Sequence, residues 1–146
     1  MSRLAEFVAR LGERGGVPDV SLDDARTCTL VFDDQWVHLE EHEAGNAVLL
    51  YADVGRLPAE QSAADGMCRR LLEANLFTAG TAGATLGVAS ASGLIALTLR
   101  IDLRACDYAE FESVLQRYVD TAIAWRDRLA GEAAGPAPAI PTAGYA

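Results

Sequence analysis

His38 and His42 are the only histidines in the chain, and Glu40, Glu41 and Glu43 lie beside them. Imidazole and carboxylate side chains are ligands that a divalent metal accepts. On a strand, however, a separation of four spans about 13 Å, so the pair needs a bend to meet at one ion. No metal site is expected. The glycine-containing stretch "TAGTAGATLG" raises the possibility of phosphate binding. A phosphate loop needs a strand before it, a helix after it and a Lys-Ser or Lys-Thr pair behind its amides. This chain has no lysine, and its glycines follow a helical pattern instead of opening one. A dinucleotide fingerprint fails for the same reason.

The remaining reactive groups form no constellation. Cys28, Cys68 and Cys106 lie far apart with no CxxC pair, which gives neither a disulfide framework nor zinc spacing. They read as reduced, mostly buried thiols. No Ser or Cys sits in a nucleophile elbow with a recognisable His partner, and the carboxylates follow no catalytic pattern. The expectation is a protein without cofactor or metal, and not an enzyme.

Charge narrows the partner. The formal net charge is -9, which argues against nucleic acid, whose phosphates call for a basic surface. The acidity is concentrated: between residues 19 and 43, Asp19, Asp23, Asp24, Asp33, Asp34, Glu40, Glu41 and Glu43 face only Arg26. Such a block is either a solvated edge or a docking surface for a basic or amphipathic partner. The longest apolar runs, such as "AVLLYA" and "LIAL", are far shorter than the roughly 18 to 20 residues that cross a bilayer. The opening "MSRLAEFVARLGERGG" lacks the continuous apolar block of a secretory signal. A cytoplasmic location without membrane insertion is expected.

These side chains need elements to position them. Leu4, Phe7, Val8 and Leu11 repeat at helical spacing until Gly12, Gly15 and Gly16 end the pattern. Three short runs follow, "RTCTLVF", "QWVHLEEHE" and "AVLLYADV", separated by tight turns as in an antiparallel meander. From Pro58 to about Phe77 the spacing is helical again, with Met67, Leu71, Leu72 and Leu76 on one side. "ATLGVAS" and "LIALTLRIDL" then form a hairpin whose last strand alternates Ile95, Leu97, Leu99, Ile101 and Leu103. Asp107 and Glu110 make a capping pair ahead of a stripe from Phe111 through Tyr118 and Trp125 to Leu129. The fold class is α+β: helix, three-strand antiparallel meander, helix, β-hairpin, helix. Residues 1–130 read as one domain. Residues 131–146, rich in Pro and Ala with little charge, read as a disordered tail.

The third strand is apolar on both faces, with Leu49 and Tyr51 on one and Val48 and Leu50 on the other. So small a domain has helices enough to cover only part of its sheet. Unless both faces are simply core, the other face of the meander, with helix 1, is expected to take a partner, through Leu4, Phe7, Val8, Leu11, Val31, Trp36, Val48 and Leu50. An unfolded segment can supply the missing layer by laying apolar anchors into pockets or by adding a strand to an edge.

"LLEANLF", the glycine-containing joint, "ATLGVASASGLIALTLRIDL" and "VLQRYVDTAIAWRDRL" resemble the class I type III secretion chaperones of the Tir-chaperone (CesT) family. The resemblance covers roughly residues 2 to 130. It implies a small acidic bacterial protein of the cytoplasm that forms a homodimer and binds the amino-terminal segment of a secreted effector. It also implies that the effector is held extended and delivered to the secretion apparatus, whose ATPase is a further partner, without ATP hydrolysis by the chaperone. In that family helix 2 and the hairpin lie near the two-fold axis. The resemblance therefore places the subunit contact at Gly66, Met67, Arg70, Gly87, Ala89, Ala96 and Thr98, most of them small enough to admit another layer, with helix 2 of the same subunit as the alternative occupant of that space. A non-secretory interaction domain of the same architecture is the alternative, because fold does not fix function.

Overall fold

The computed structural model describes residues 1–133. The elements are α1 (Arg3–Gly15), β1 (Thr27–Phe32), β2 (Gln35–His42), β3 (Ala47–Arg56), α2 (Gln61–Asn75), β4 (Thr85–Ala89), β5 (Leu94–Asp102) and α3 (Tyr108–Ala133). This is the α+β order expected above. Helix α3 continues to Ala133, so the first residues of the expected tail are helical; residues 134–146 lie outside the described residues.

Local chemistry sets the element ends. The Ser2 hydroxyl accepts from the Ala5 N–H to open α1, and Gly16 closes it in the left-handed region at φ 71°. Gly12 is required by close approach: a Cβ there would sit 2.6 Å from Val20 Cγ2, where the chain folds back after the helix. Asp33 and Asp34 have φ of 49° and 64°, the two left-handed residues of a type I′ turn that joins β1 to β2. Asp107 and Glu110 form a reciprocal capping box on α3: each side chain accepts from the other's backbone N–H at 2.8 Å.

All five strands are antiparallel in one sheet of order β1-β2-β3-β5-β4. The meander is joined to the hairpin by β3 and β5, and β1 and β4 are the two edges. One face of the sheet, carrying Val37, Leu39, Val48, Leu50, Ala52, Ile95 and Leu97, is buried in the same core as Leu4 and Val8 of α1 and Phe111, Leu115 and Tyr118 of α3. Tyr118 donates its phenolic hydrogen to the Leu97 carbonyl at 2.6 Å, and Trp125 donates to the Gly80 carbonyl at 2.9 Å, so both polar tips on the apolar stripe of α3 are satisfied. The opposite face, from Thr29 and His38 through Tyr51 to Thr98, is half-buried or exposed.

This arrangement corrects part of the expected partner surface. Leu4, Phe7, Val8, Val48 and Leu50 are core residues, because α1 and α3 take the Val48/Leu50 face of β3 and leave the Leu49/Tyr51 face open. In α2, Met67, Leu71 and Ala74 turn inward, whereas Leu72 and Leu76 are exposed. Met67 is therefore buried within its own chain. Arg70 is bound to Glu132 of α3 at 3.0 Å.

The two edges differ. At β4, the Asn75 side chain accepts from Leu86 N–H at 2.8 Å and donates to Leu86 C=O at 2.9 Å. It acts as a substitute strand one residue long. Asn75→Ala leaves both backbone groups of a buried residue unpaired and is expected to cost about 1–3 kcal/mol, read as a lower denaturant midpoint with an unchanged slope.

Candidate partner-binding site

The other edge is open over a defined window. Glu41 N–H donates to Arg26 C=O, which fixes the phase of the β1–β2 ladder. Counting in twos, Cys28, Leu30 and Phe32 direct their backbone groups toward β2, and Thr27, Thr29 and Val31 direct theirs outward. Thr27 is already taken. Its C=O accepts from Asp23 N–H, and its N–H donates to Asp23 Oδ1, each at 2.8 Å. The bonds that the Thr27 N–H and hydroxyl donate to it hold the Asp23 carboxyl below its ordinary range, the backbone N–H contributing most. Thr29 and Val31 are left with outward donors and acceptors that no described group pairs.

Beside this edge runs a groove of about 960 Å³ between β1, the end of α1 and the loop that follows it. Leu11, Val17, Val20, Leu30 and Phe32 line its apolar part, and Glu112 and Gln116 of α3 close it on the far side. Arg14 of α1 pairs with Glu112 at 2.8 Å across one wall. Cys28 also borders the groove, and burial pushes its thiol above the ordinary range, as suits an unreactive packing residue. On the open face, Val31 and Trp36 are cross-strand partners and remain 53% and 59% exposed. A segment laid along β1 would meet the groove on one side and this pair on the other.

Of the expected partner residues, Leu11, Val31 and Trp36 border the edge, and the other five are core. The edge itself was not legible, since nothing in the alternation of β1 says that it lacks a second neighbour. The histidines have separate surroundings. His38 stacks on Tyr51 with ring centroids 4.8 Å apart and its Nδ1 shares a hydrogen bond with Thr29 Oγ1, while His42 contacts Glu40. Among the described residues no three His, Cys, Asp or Glu side chains converge on a common point.

A second surface lies at the end of α2. Leu72, Leu76, Phe77 and Val88 are all exposed, and Phe77 has a left-handed backbone at φ 53°. Gly87 and Ala89 on β4 are exposed nearby, whereas Gly66, Ala96 and Thr98 are half-buried. Sequence periodicity had put Leu72 and Leu76 on the inner side of α2, so this patch was missed.

Solved structures share the fold. A chain of the ExsC–ExsE complex is 25% identical with a TM-score of 0.73, covering 88% of this chain and 97% of that one. A chain of the HopA1–SchA chaperone–effector complex is 20% identical with a TM-score of 0.66, covering 84% and 91%. One from the ExoT–SpcS complex of Pseudomonas aeruginosa is 21% identical with a TM-score of 0.59, covering 84% and 97%. No significant match emerges among curated proteins. The model of the Tir chaperone protein (CesT) family matches residues 6–126, and with the helix, meander, helix, hairpin, helix order already described, this chain belongs to that family.

Proposed function

We propose that the protein is a type III secretion chaperone that binds the amino-terminal segment of an effector in an extended state and keeps it competent for secretion. The observation that carries this reading is the open β1 edge at Thr29 and Val31 beside an apolar groove. An edge of free donors and acceptors pairs with any extended chain, and the groove then selects among side chains. Family membership supports it, as does the structural similarity to a chain from a chaperone–effector complex. The protein works without a reaction of its own, as a homodimer in the cytoplasm, and hands the effector on to the secretion apparatus. No helix of the described residues is long and apolar enough to cross a membrane.

The Thr29→Pro variant tests the edge. Proline removes an outward N–H and leaves the β2 ladder its bonds, a position where a strand tolerates it. Affinity capture from a secreting culture is expected to recover an effector with the wild-type chain and with Thr29→Ala. With Thr29→Pro recovery should fall about tenfold or more, as loss of a backbone pairing and a distorted edge imply. Equal capture by a folded Thr29→Pro chain would remove the edge from the binding site.

A further inference from the structure

The groove beside β1 is apolar at its centre and acidic at both ends. Asp19 lines the groove in the loop after α1, Asp24 stands in the turn ahead of Thr27, and beyond Phe32 the hairpin turn presents Asp33 and Asp34; all four are exposed. None of the four takes part in an ion pair among the described residues. The arginines that border the site are matched already. Arg14 holds Glu112, Arg26 holds Glu41, and Arg126 holds Asp127 while donating to the Asp33 carbonyl at 3.0 Å. The negative charge at the two ends is therefore surplus, and the window between them is short. Asp23 closes the edge at Thr27, and the turn closes it after Phe32.

We propose that this groove selects, within its partner, a short extended segment whose alternating apolar residues are flanked on both sides by Lys or Arg. The apolar residues would enter beside Leu11, Leu30 and Phe32, and the flanking cations would meet Asp24 with Asp19 of the groove wall on one side and Asp33 and Asp34 on the other. At about 3.3 Å per residue, strand β1 and its two acidic ends set the flanks roughly six to nine positions apart. This rests on the strand-addition reading above and adds to it a charge rule for the partner's sequence.

Synthetic peptides make the test, with the full chain as receptor and fluorescence anisotropy as readout. The probe has an Ile-Thr-Val-Thr-Ile centre with two lysines on each side. One control replaces the lysines by glutamates, and another carries N-methyl groups on alternate amides of the centre. At low salt the lysine peptide is expected to bind about tenfold more tightly than the glutamate peptide, the sum of several exposed pairs. High salt should erase that advantage. So should a variant carrying Asp19→Asn, Asp24→Asn, Asp33→Asn and Asp34→Asn. Asparagine tolerates the left-handed backbone at positions 19, 33 and 34, so the turns survive the change. N-methylation should abolish binding.

The outcomes separate the two readings. Equal binding of lysine and glutamate peptides, with N-methylation still abolishing it, overturns the charge rule and leaves strand addition standing. A lysine advantage that persists in high salt or in the four-Asn variant also overturns it. If neither peptide binds, or the N-methylated peptide binds as well as the unmodified one, strand addition at β1 falls and the charge rule with it.

Discussion

Leu50→Asp is expected to unfold the protein, not to produce a folded chain that has lost its partner. Leu50 is fully buried at the middle of β3. It stands between Leu39 of β2 and Leu99 of β5 on the face that the helices cover. Truncating such a leucine costs about 2–5 kcal/mol, and a carboxyl group with no hydrogen-bonding partner in that layer adds several more. Against a total stability of about 5–15 kcal/mol, the variant should show no cooperative melt by circular dichroism, or one lowered by tens of degrees. Leu49→Asp is the matched contrast. Its neighbours across the open face are Glu40 and Arg100, so solvent and the guanidinium can receive the charge, and the fold should survive. A Leu50→Asp chain that melts like the wild type would overturn the assignment of the two faces of β3.

The second large effect is expected on association. Phe77 is 91% exposed, with Leu72 and Leu76 at 69% and 61% beside it. Its left-handed backbone costs an aromatic residue about 1–2 kcal/mol, and burial of its ring within the described chain does not offset that cost. We propose that a second copy does, and that the two subunits of the homodimer meet through this end of α2 and the neighbouring β4. Phe77→Asp should then raise the dimer dissociation constant about 30- to 1000-fold, the effect of losing a central aromatic anchor. Phe77→Gly removes the same ring while relaxing the backbone, so dissociation with an intact melt isolates the side chain. Light scattering at micromolar protein reads both. A wild-type monomer, or a Phe77→Asp dimer of unchanged affinity, would rule out this contact.

The order of elements was legible because each carries a local signal. The alternation of β5, the Asp107–Glu110 box and the glycines after α1 act within a few residues of chain. What was not legible depends on which surfaces face each other. Alternation places Val48 and Leu50 opposite Leu49 and Tyr51, but it does not say which pair the helices will cover. Both pairs are apolar, and Tyr51 is accommodated on the open side by its stack with His38. In α2 the adjacent leucines 71 and 72 are a single step of about 100° apart, enough for one to be core and the other surface. The candidate edge depends on the longest-range strand pairing, that of β3 with β5 across α2 and β4, which leaves β1 at one margin.

The walls of the β1 groove come from opposite ends of the chain. Leu11, Leu30 and Phe32 are made early, whereas Glu112 and Gln116 belong to the last helix. The meander can pair as soon as it is synthesised, since its strands are local in sequence. Its apolar face, though, has only α1 to cover it until α3 is complete and docks. During synthesis at roughly 5–20 residues per second, the interval between finishing β3 near residue 56 and finishing α3 near residue 133 is on the order of 4–15 seconds. A nascent chain in that interval has a sheet edge but no finished groove, so on the proposed reading competence to bind waits until α3 closes the core.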